Sequence, residues 1–154
     1  MIAVLQRIKH ARVTADGSES GRCGHGLLIL LGVGVEDTEE DVRLLSDKIP
    51  RLRIFSDENG KMNLSLIDVG GGALVVSNFT LHANYSHGNR PDYLAAARPE
   101  IAVPLYEAFI EAIKRQGVDV ACGVFGADMQ IDMQADGPVT VVMDSEKLKR
   151  GRRK

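Results

Sequence analysis

Two apolar segments place the strongest constraint on how this chain folds. Residues 27–35 are almost entirely apolar, and residues 73–81 begin Ala-Leu-Val-Val before polar side chains appear. Apolar runs of this length are typical of strands buried on both faces. Neither run reaches the roughly 18 residues that a membrane-spanning helix needs, and we expect no membrane partner. The sequence therefore predicts a central sheet that is covered on both sides.

The other patterns add strands more often than helices. Residues 2–15 predict a long first strand, and residues 129–134 and 139–143 predict two strands joined by a turn at 135–138. Asp37 or Thr38 can cap a first helix, because acidic residues follow in its first turn.

A second helix is expected to begin near Asp92 and to be interrupted at Pro99 and Pro104 before Gly117 ends it. Hairpins outnumber βαβ units in this reading of the chain. We predict an α+β fold with two main helices and a mostly antiparallel sheet curled toward a barrel.

Charge divides the chain into an acidic body and a basic tail. Residues 1–146 are predicted to form a single domain with a net charge of −8, and residues 147–154 hold six of the basic residues. The tail is either a solvated end that helps solubility or a contact for a phosphate backbone, which clustered Lys and Arg can neutralise.

The cysteines and aromatic residues limit the class of protein further. Cys23 and Cys122 are far apart and form no CxxC motif, so the chain suits a reducing compartment and a cytoplasmic location. Seven aromatic residues and no Trp argue against a platform for stacking single-stranded bases.

Common catalytic motifs are missing from the sequence. There is no GxSxG, HExxH or P-loop pattern. His82 and His87 are too weakly patterned to predict a metal site, and we expect no metal and no cofactor. A triad of Ser77 or Thr80 with His82 is conceivable, although hydroxyl side chains also fit strands without any catalytic role.

Two segments are less easily explained as structural. Polar residues 77–80 end the apolar strand, and residues 136–140, Asp-Gly-Pro-Val-Thr, begin another. Gly137 would let backbone approach a ligand closely. Together with the segments 1–8, 26–33, 52–65, 105–107 and 123–129, they resemble the D-aminoacyl-tRNA deacylase family along essentially the whole chain. The family motifs are SQFTL and NxGPVT, from which Asn78 and Ala135 depart.

The resemblance implies hydrolysis of the ester that joins a D-amino acid to the terminal ribose of tRNA. It implies a homodimer in which a Gly137-cis-Pro138 motif enters the partner's site beside Thr80 and selects chirality, with Arg7 holding the motif and Met129 supporting the site. Ser77, Asn78, Phe79 and Thr80 would form the catalytic segment. Backbone N–H groups near Phe79 and Thr80 would bind the oxyanion, with help from the substrate's 2′-hydroxyl.

Thr80 is then a positioning hydroxyl, or else the nucleophile. A gate that rejects L side chains by clash cannot reject glycine, so glycyl-tRNA is expected to be a further substrate. Two other functions stay open. One is a related deacylase with specificity shifted toward mischarged small L-aminoacyl-tRNA, because of Asn78 and Ala135. The other is a non-catalytic nucleic-acid-binding dimer that uses the tail.

Overall fold

The long strand β1, Ile2–Ala15, organises the sheet because it pairs along both of its edges. The computed structural model describes residues 1–152; Arg153 and Lys154, the end of the predicted tail, lie outside the described residues. The remaining strands are β2 Ser18–Cys23, β3 Gly26–Gly32, β4 Phe55–Ser56, β5 Met62–Leu64, β6 Gly72–Ser77, β7 Val120–Cys122 and β8 Met129–Asp144. The helices are α1 Glu39–Lys48, α2 Pro99–Lys114 and α3 Ser145–Arg152.

Within residues 1–152, the main sheet has six strands and is mixed. β1 pairs antiparallel with β2, β3 and β8, whereas β3 with β6 and β6 with β7 pair parallel. β2 also lies against β7, so closely that a Cβ on Gly21 would stand 2.7 Å from the carbonyl oxygen of Cys122. The predicted α+β class and barrel-like curvature are confirmed, but the sheet contains more parallel pairing than a mostly antiparallel one.

The central strands β3 and β6 are buried on both faces, as the apolar runs predict. One face packs against the helices through residues such as Leu5, Leu27 and Val75. The opposite face forms a smaller cluster inside the curved sheet, around Ile8, Leu28, Leu74, Val76, Ala11 and Val13. Alternate residues of β3 and β6 therefore serve two separate cores, which explains why these strands carry almost no polar side chains.

Two predicted strands end differently from the expectation. The strand predicted over residues 73–81 ends at Ser77, and Phe79–His82 forms a 3₁₀ turn. The turn predicted at residues 135–138 does not reverse the chain, because β8 runs on continuously beside β1. Instead β8 forms a bulge. The paired positions Gln6–Thr140 and Ile8–Ala135 are two residues apart in β1 but five residues apart in β8. Among the described residues, β5 pairs only with β4, and these two short strands form a separate sheet.

The first helix begins where its capping residue predicts, whereas the second does not. Thr38 caps α1, and its backbone and side chain both bond the Asp41 carboxylate in a capping box. The expected helix beginning at Asp92 and broken at Pro99 is wrong. Pro99 is instead the first residue of α2, where its missing N–H costs nothing, and α2 continues through Pro104.

A third helix, α3, follows β8 and includes the first part of the basic tail. Lys149 of α3 lies 2.7 Å from a carboxylate oxygen of Asp41, and Ser145 donates a 2.6 Å hydrogen bond to the same oxygen. Two hydrogen bonds to a buried carboxylate thus attach α3 to α1. Lys147 and Arg150 of the tail are exposed. Within residues 1–152, no helix has the length and apolar character to cross a membrane.

Candidate active site

The carboxyl ends of the three parallel strands surround a pocket of about 450 Å³. β3 contributes Leu30 and Leu31, β6 contributes Val76 and Ser77, and the segment after β7 contributes residues 125–128. Ligand sites commonly form at this edge of parallel strands, because the connections diverge there. Five of the predicted site residues line this one pocket, namely Ser77, Asn78, Phe79, Thr80 and Met129.

The 3₁₀ turn that holds Phe79 and Thr80 is fixed against β3. Asn78 donates its backbone N–H to the carbonyl oxygen of Leu31 at 2.9 Å. Gly32 has no room for a side chain, since a Cβ there would lie 2.9 Å from the Asn78 carbonyl oxygen and 3.0 Å from Cβ of Leu81. The glycine that ends β3 therefore lets the turn pack directly on strand backbone.

Two backbone donors of this turn are free. Among residues 1–152, neither Phe79 nor Thr80 donates its backbone N–H in a hydrogen bond to protein. The first N–H groups of a helical turn have no partner within the turn, and Asn78 provides no side-chain cap. Because both residues line the pocket, these donors are available to an oxygen atom bound there.

The Thr80 hydroxyl bonds to a neighbouring side chain rather than to a histidine. It donates to the amide oxygen of Asn78 at 2.5 Å. His82 lies in the same 3₁₀ turn, and its Nε2 is buried without a partner in the described chain. The conceivable triad of Ser77 or Thr80 with His82 is therefore not formed. His87 bonds Ser86, and residues 1–152 hold no group of three or more potential metal-ligating side chains.

Three further pocket residues were missed by the search for catalytic patterns. Tyr106 is buried and donates a 3.0 Å hydrogen bond to the carbonyl oxygen of Val75, and burial raises the pKa of its phenol well above the usual range. Phe125 packs edge-on against Tyr106 at 5.7 Å. Of the described residues that line the pocket, Asp128 is the one with a formal charge. Apolar spacing placed Tyr106 in a helix but gave no sign that its hydroxyl braces β6.

Gly137 and Pro138 lie elsewhere on the surface. Both are exposed at the bulge of β8, their peptide bond is cis, and neither lines the pocket of their own chain. Arg7 lies beneath them and is 8% exposed. Its guanidinium donates to the carbonyl oxygens of Asp136 at 3.3 Å and Ile54 at 2.8 Å, and it forms an ion pair of 3.2 Å with the Asp136 carboxylate.

Comparison with known proteins assigns the chain to a family. A family model described as D-Tyr-tRNA(Tyr) deacylase matches residues 4–144. The chain belongs to this deacylase family. The resemblance stated from the sequence motifs is thus confirmed, and it extends over both the pocket and the Gly137-Pro138 bulge.

Relatives of the deacylase family match at nearly full length. A D-aminoacyl-tRNA deacylase of Chloroflexus aurantiacus is 58% identical, over 99% of this chain and 96% of the relative. One from Parabacteroides distasonis is 52% identical over 95% of this chain and 98% of the relative. A solved structure titled c-Myc DNA unwinding element binding protein is 38% identical with a TM-score of 0.87, and covers 94% of this chain and 98% of its own.

The two departures from the deacylase family's motifs occupy different environments. Asn78 keeps an amide oxygen in contact with Thr80 despite its shorter side chain. Ala135 pairs with Ile8 where the bulge of β8 begins, and its side chain is exposed. The departure at Asn78 therefore lies inside the pocket, whereas the departure at Ala135 lies beside the bulge.

Proposed function

We propose that this chain is a D-aminoacyl-tRNA deacylase, a hydrolase that cleaves the ester between a D-amino acid and the terminal ribose of tRNA. The observation that carries the proposal is the full-length family match, together with a pocket built from the matching segment Ser77-Asn78-Phe79-Thr80. Such esters are activated acyl compounds. Their hydrolysis depends above all on donors aimed at the developing oxyanion.

The free N–H groups of Phe79 and Thr80 are the proposed oxyanion donors. They belong to one rigid turn, so no reorganisation is needed when negative charge develops on the carbonyl oxygen of the ester. Water attacks the carbonyl carbon, and the substrate's neighbouring 2′-hydroxyl assists the proton transfer. Thr80 then positions the substrate through its hydroxyl oxygen, and it forms no covalent bond to the acyl group.

A second copy of the chain would complete the site. β8 pairs only with β1 among the described residues, so one edge of a 16-residue strand is open. Ile131, Met133 and Val142 expose apolar side chains along it. An open strand edge presents unpaired N–H and C=O groups that can pair with another chain. We propose a homodimer in which Gly137 and Pro138 of one protomer enter the pocket of the other.

This arrangement would select chirality through backbone atoms. The carbonyl groups of Gly137 and Pro138 would face the Cα side of the bound amino acid, where an L side chain collides with them and a D side chain points away. Since glycine has no side chain, glycyl-tRNA should also be cleaved. Arg7 contributes by fixing the bulge through Asp136.

A direct assay tests the proposal. Purified protein is incubated with D-tyrosyl-, L-tyrosyl-, glycyl- and L-alanyl-tRNA, and released amino acid is followed with time. We expect rapid cleavage of the D-tyrosyl ester, cleavage of the glycyl ester and little loss of either L ester. Preferred cleavage of L-alanyl-tRNA would instead support the shifted specificity that Asn78 and Ala135 suggest. A monomeric mass in light scattering would contradict the shared site.

A nucleic-acid-binding role is the second candidate, because one solved relative is titled a DNA unwinding element binding protein. In that case the exposed basic residues of α3 would carry the function. Replacing Lys147 and Arg150 by Gln leaves the Lys149–Asp41 attachment in place. A deacylase should retain its kcat in this variant, whereas a binder that depends on the tail should lose its affinity for nucleic acid. A tRNA substrate also supports the cytoplasmic location that we propose.

A further inference from the structure

We infer that the exposed aromatic rim of the pocket binds the unpaired nucleotides that precede the terminal adenosine of the tRNA. The rim consists of Phe79, Tyr85, Tyr93 and Leu94, which are 57%, 80%, 36% and 85% exposed. This inference rests on the proposed function. It extends the binding surface from the pocket residue Phe79 to residues outside the pocket in which the ester is cleaved.

The rim is an ordered extension of the pocket. The ring of Tyr93 packs edge-on against Phe79, a pocket residue, with 5.1 Å between ring centroids. Asn84 and Asp92 exchange both backbone hydrogen bonds, at 2.8 and 2.9 Å, and their side chains are joined at 2.9 Å. Tyr85 and Tyr93 directly follow these two paired residues. The tyrosines are therefore carried by a closed hairpin.

The rim is also tied to the segment that directly follows β3. Val35 donates to the carbonyl oxygen of Ala95 at 3.0 Å, and Ala97 donates to that of Val33 at 2.9 Å. Val33 and Ala97 both line the pocket. The rim is therefore held in a fixed position relative to the 3₁₀ turn. A ligand that extends out of the pocket past Phe79 would contact the rim.

Exposed aromatic residues are concentrated around this site. Among residues 1–152, the exposed aromatic side chains are Phe79, Tyr85 and Tyr93, and all three belong to the rim, whereas Tyr106 is buried and Phe125 half-buried in the pocket wall. A low total number of aromatics argued against base stacking, but the fold gathers the exposed ones in one place. Bases stack on such side chains without sequence preference, because every base has a π face.

Two arginines give the rim the charge that a phosphate backbone requires. Arg90 lies at the tip of the hairpin, and Arg98 precedes α2 directly after the pocket residue Ala97. Both are exposed, and neither forms an ion pair within residues 1–152. Aromatic faces beside such cations suit single-stranded nucleic acid.

Two substrates separate this surface from the catalytic pocket. D-Tyrosyl-tRNA carries the nucleotides that the rim would bind, whereas 3′-O-D-tyrosyl-adenosine carries only the terminal nucleoside. In Tyr85→Ala and in Arg90→Gln/Arg98→Gln we expect KM for the tRNA ester to rise about tenfold with kcat unchanged. The kinetic constants for the adenosine ester should not change. The double arginine variant should also show a weaker dependence of KM on salt concentration.

Control variants remove an arginine and a large exposed apolar side chain from other surfaces. The control for the arginine variant is Arg115→Gln, because Arg115 lies at the opposite end of α2 from Arg98. The control for Tyr85→Ala is Met62→Ala, which removes an apolar side chain that is 58% exposed in β5. Neither control should alter KM for either ester.

The outcomes are distinct. Failure of the wild-type protein to cleave either ester would refute the proposed function. Normal wild-type cleavage with unchanged KM in the rim variants would overturn the rim alone. Equal losses on both esters, or a changed oligomeric mass in Tyr85→Ala, would also overturn it, since the residues would then serve the pocket or a protein contact.

Discussion

The Thr80 hydroxyl donates a 2.5 Å hydrogen bond to the side-chain oxygen of Asn78, two residues earlier in the chain. Its proton is therefore already bonded, and its oxygen presents lone pairs to the pocket. An oxygen in this state can accept a hydrogen bond from a bound substrate. It has no side-chain base to activate it as a nucleophile, because His82 does not reach it within the described chain.

Replacing Thr80 by Val tests this role, since Val has the same shape without the hydroxyl. A lost positioning hydrogen bond of about 1 kcal/mol should lower kcat/KM roughly fivefold to tenfold. Asn78→Ala should cause a similar loss by freeing the Thr80 hydroxyl to rotate. The double variant should lose little more than either single one, because both remove the same hydrogen bond. Steady-state kinetics with D-tyrosyl-tRNA measures all three.

Detection of an acyl-enzyme would contradict the positioning role of Thr80. If Thr80 attacks the ester itself, Thr80→Val should lose nearly all activity. Rapid quenching followed by mass spectrometry should then find an acylated protein in the wild type and none in the variant. Either result would replace the positioning role with a nucleophilic one.

Gly32→Ala should displace the 3₁₀ turn Phe79–His82, which packs against Gly32. The new Cβ would lie 2.9 Å from the Asn78 carbonyl oxygen, which belongs to backbone and cannot rotate away. We expect a loss of about 1–3 kcal/mol in the free energy of unfolding and a marked fall in kcat. Gly24→Ala is the matched control, because nothing lies within 4 Å of a Cβ there. Urea unfolding and kinetics on both variants check the expectation; equal behaviour of the two would contradict it.

Local patterns predicted much of the fold because the same residues determine burial and element type. β1 has the predicted bounds of residues 2–15, and the first helix begins after Thr38. Alternation and capping depend only on neighbours in sequence, so they could be recognised. The parallel pairing of β6 with β3 could not, since it depends on which distant strand fills the space beside β3.

In the site as well, features that depend on neighbouring residues could be predicted, whereas features that depend on distant contacts could not. Residues 77–80 were singled out because polar side chains follow an apolar strand, and they do line the pocket. The 3₁₀ turn that frees their N–H groups depends on contact with Gly32, which lies 46 residues or more away in sequence. Likewise, the sequence Ala-Asp-Gly-Pro predicted a turn at residues 135–138, whereas pairing of β8 with β1 on both sides of this segment makes a bulge.

The attachment of α3 to α1 should depend on pH through Asp41. Burial opposes ionisation of this carboxyl, but hydrogen bonds from Lys149 and Ser145 outweigh burial and hold its pKa below the ordinary value of 3.8. A folded-state pKa below the unfolded one stabilises the protein at every pH above about 4, and this contribution is lost as the pH falls further. Chemical unfolding between pH 7 and pH 2 should show the decline.

Asp41→Asn should remove that contribution. At pH 7 we expect about 2 kcal/mol less stability, the size of a hydrogen bond to a charged group. The difference from wild type should shrink below pH 4, where the Asp41 carboxyl of the unfolded wild type becomes protonated while that of the folded protein still carries its charge. Asp47→Asn is the control, because that carboxylate is 58% exposed and lies 4.0 Å from Arg43. A pH-independent difference would show that the charge of Asp41 contributes nothing.

Arg7→Lys keeps the positive charge but cannot reproduce the geometry beneath the bulge. One planar guanidinium bonds Ile54 and Asp136 at once, and an ammonium group has no comparable fork. If Arg7 holds Gly137 and Pro138 in place for the partner protomer, this variant should cleave D-tyrosyl-tRNA at least tenfold more slowly. The ratio of D to L cleavage should fall as well, because a displaced bulge admits the L side chain.

Arg12→Lys supplies the comparison for this last variant, since Arg12 lies on the same strand and forms an exposed ion pair with Asp132. Exposed pairs contribute about 0–1 kcal/mol, so its kinetics and chiral selectivity should match wild type. Thermal unfolding of both variants separates lost stability from lost selectivity. A role confined to stability would lower the melting temperature of Arg7→Lys and leave the D to L ratio of the remaining folded protein intact. A changed ratio in folded protein requires that Arg7 act on the bulge that faces the substrate.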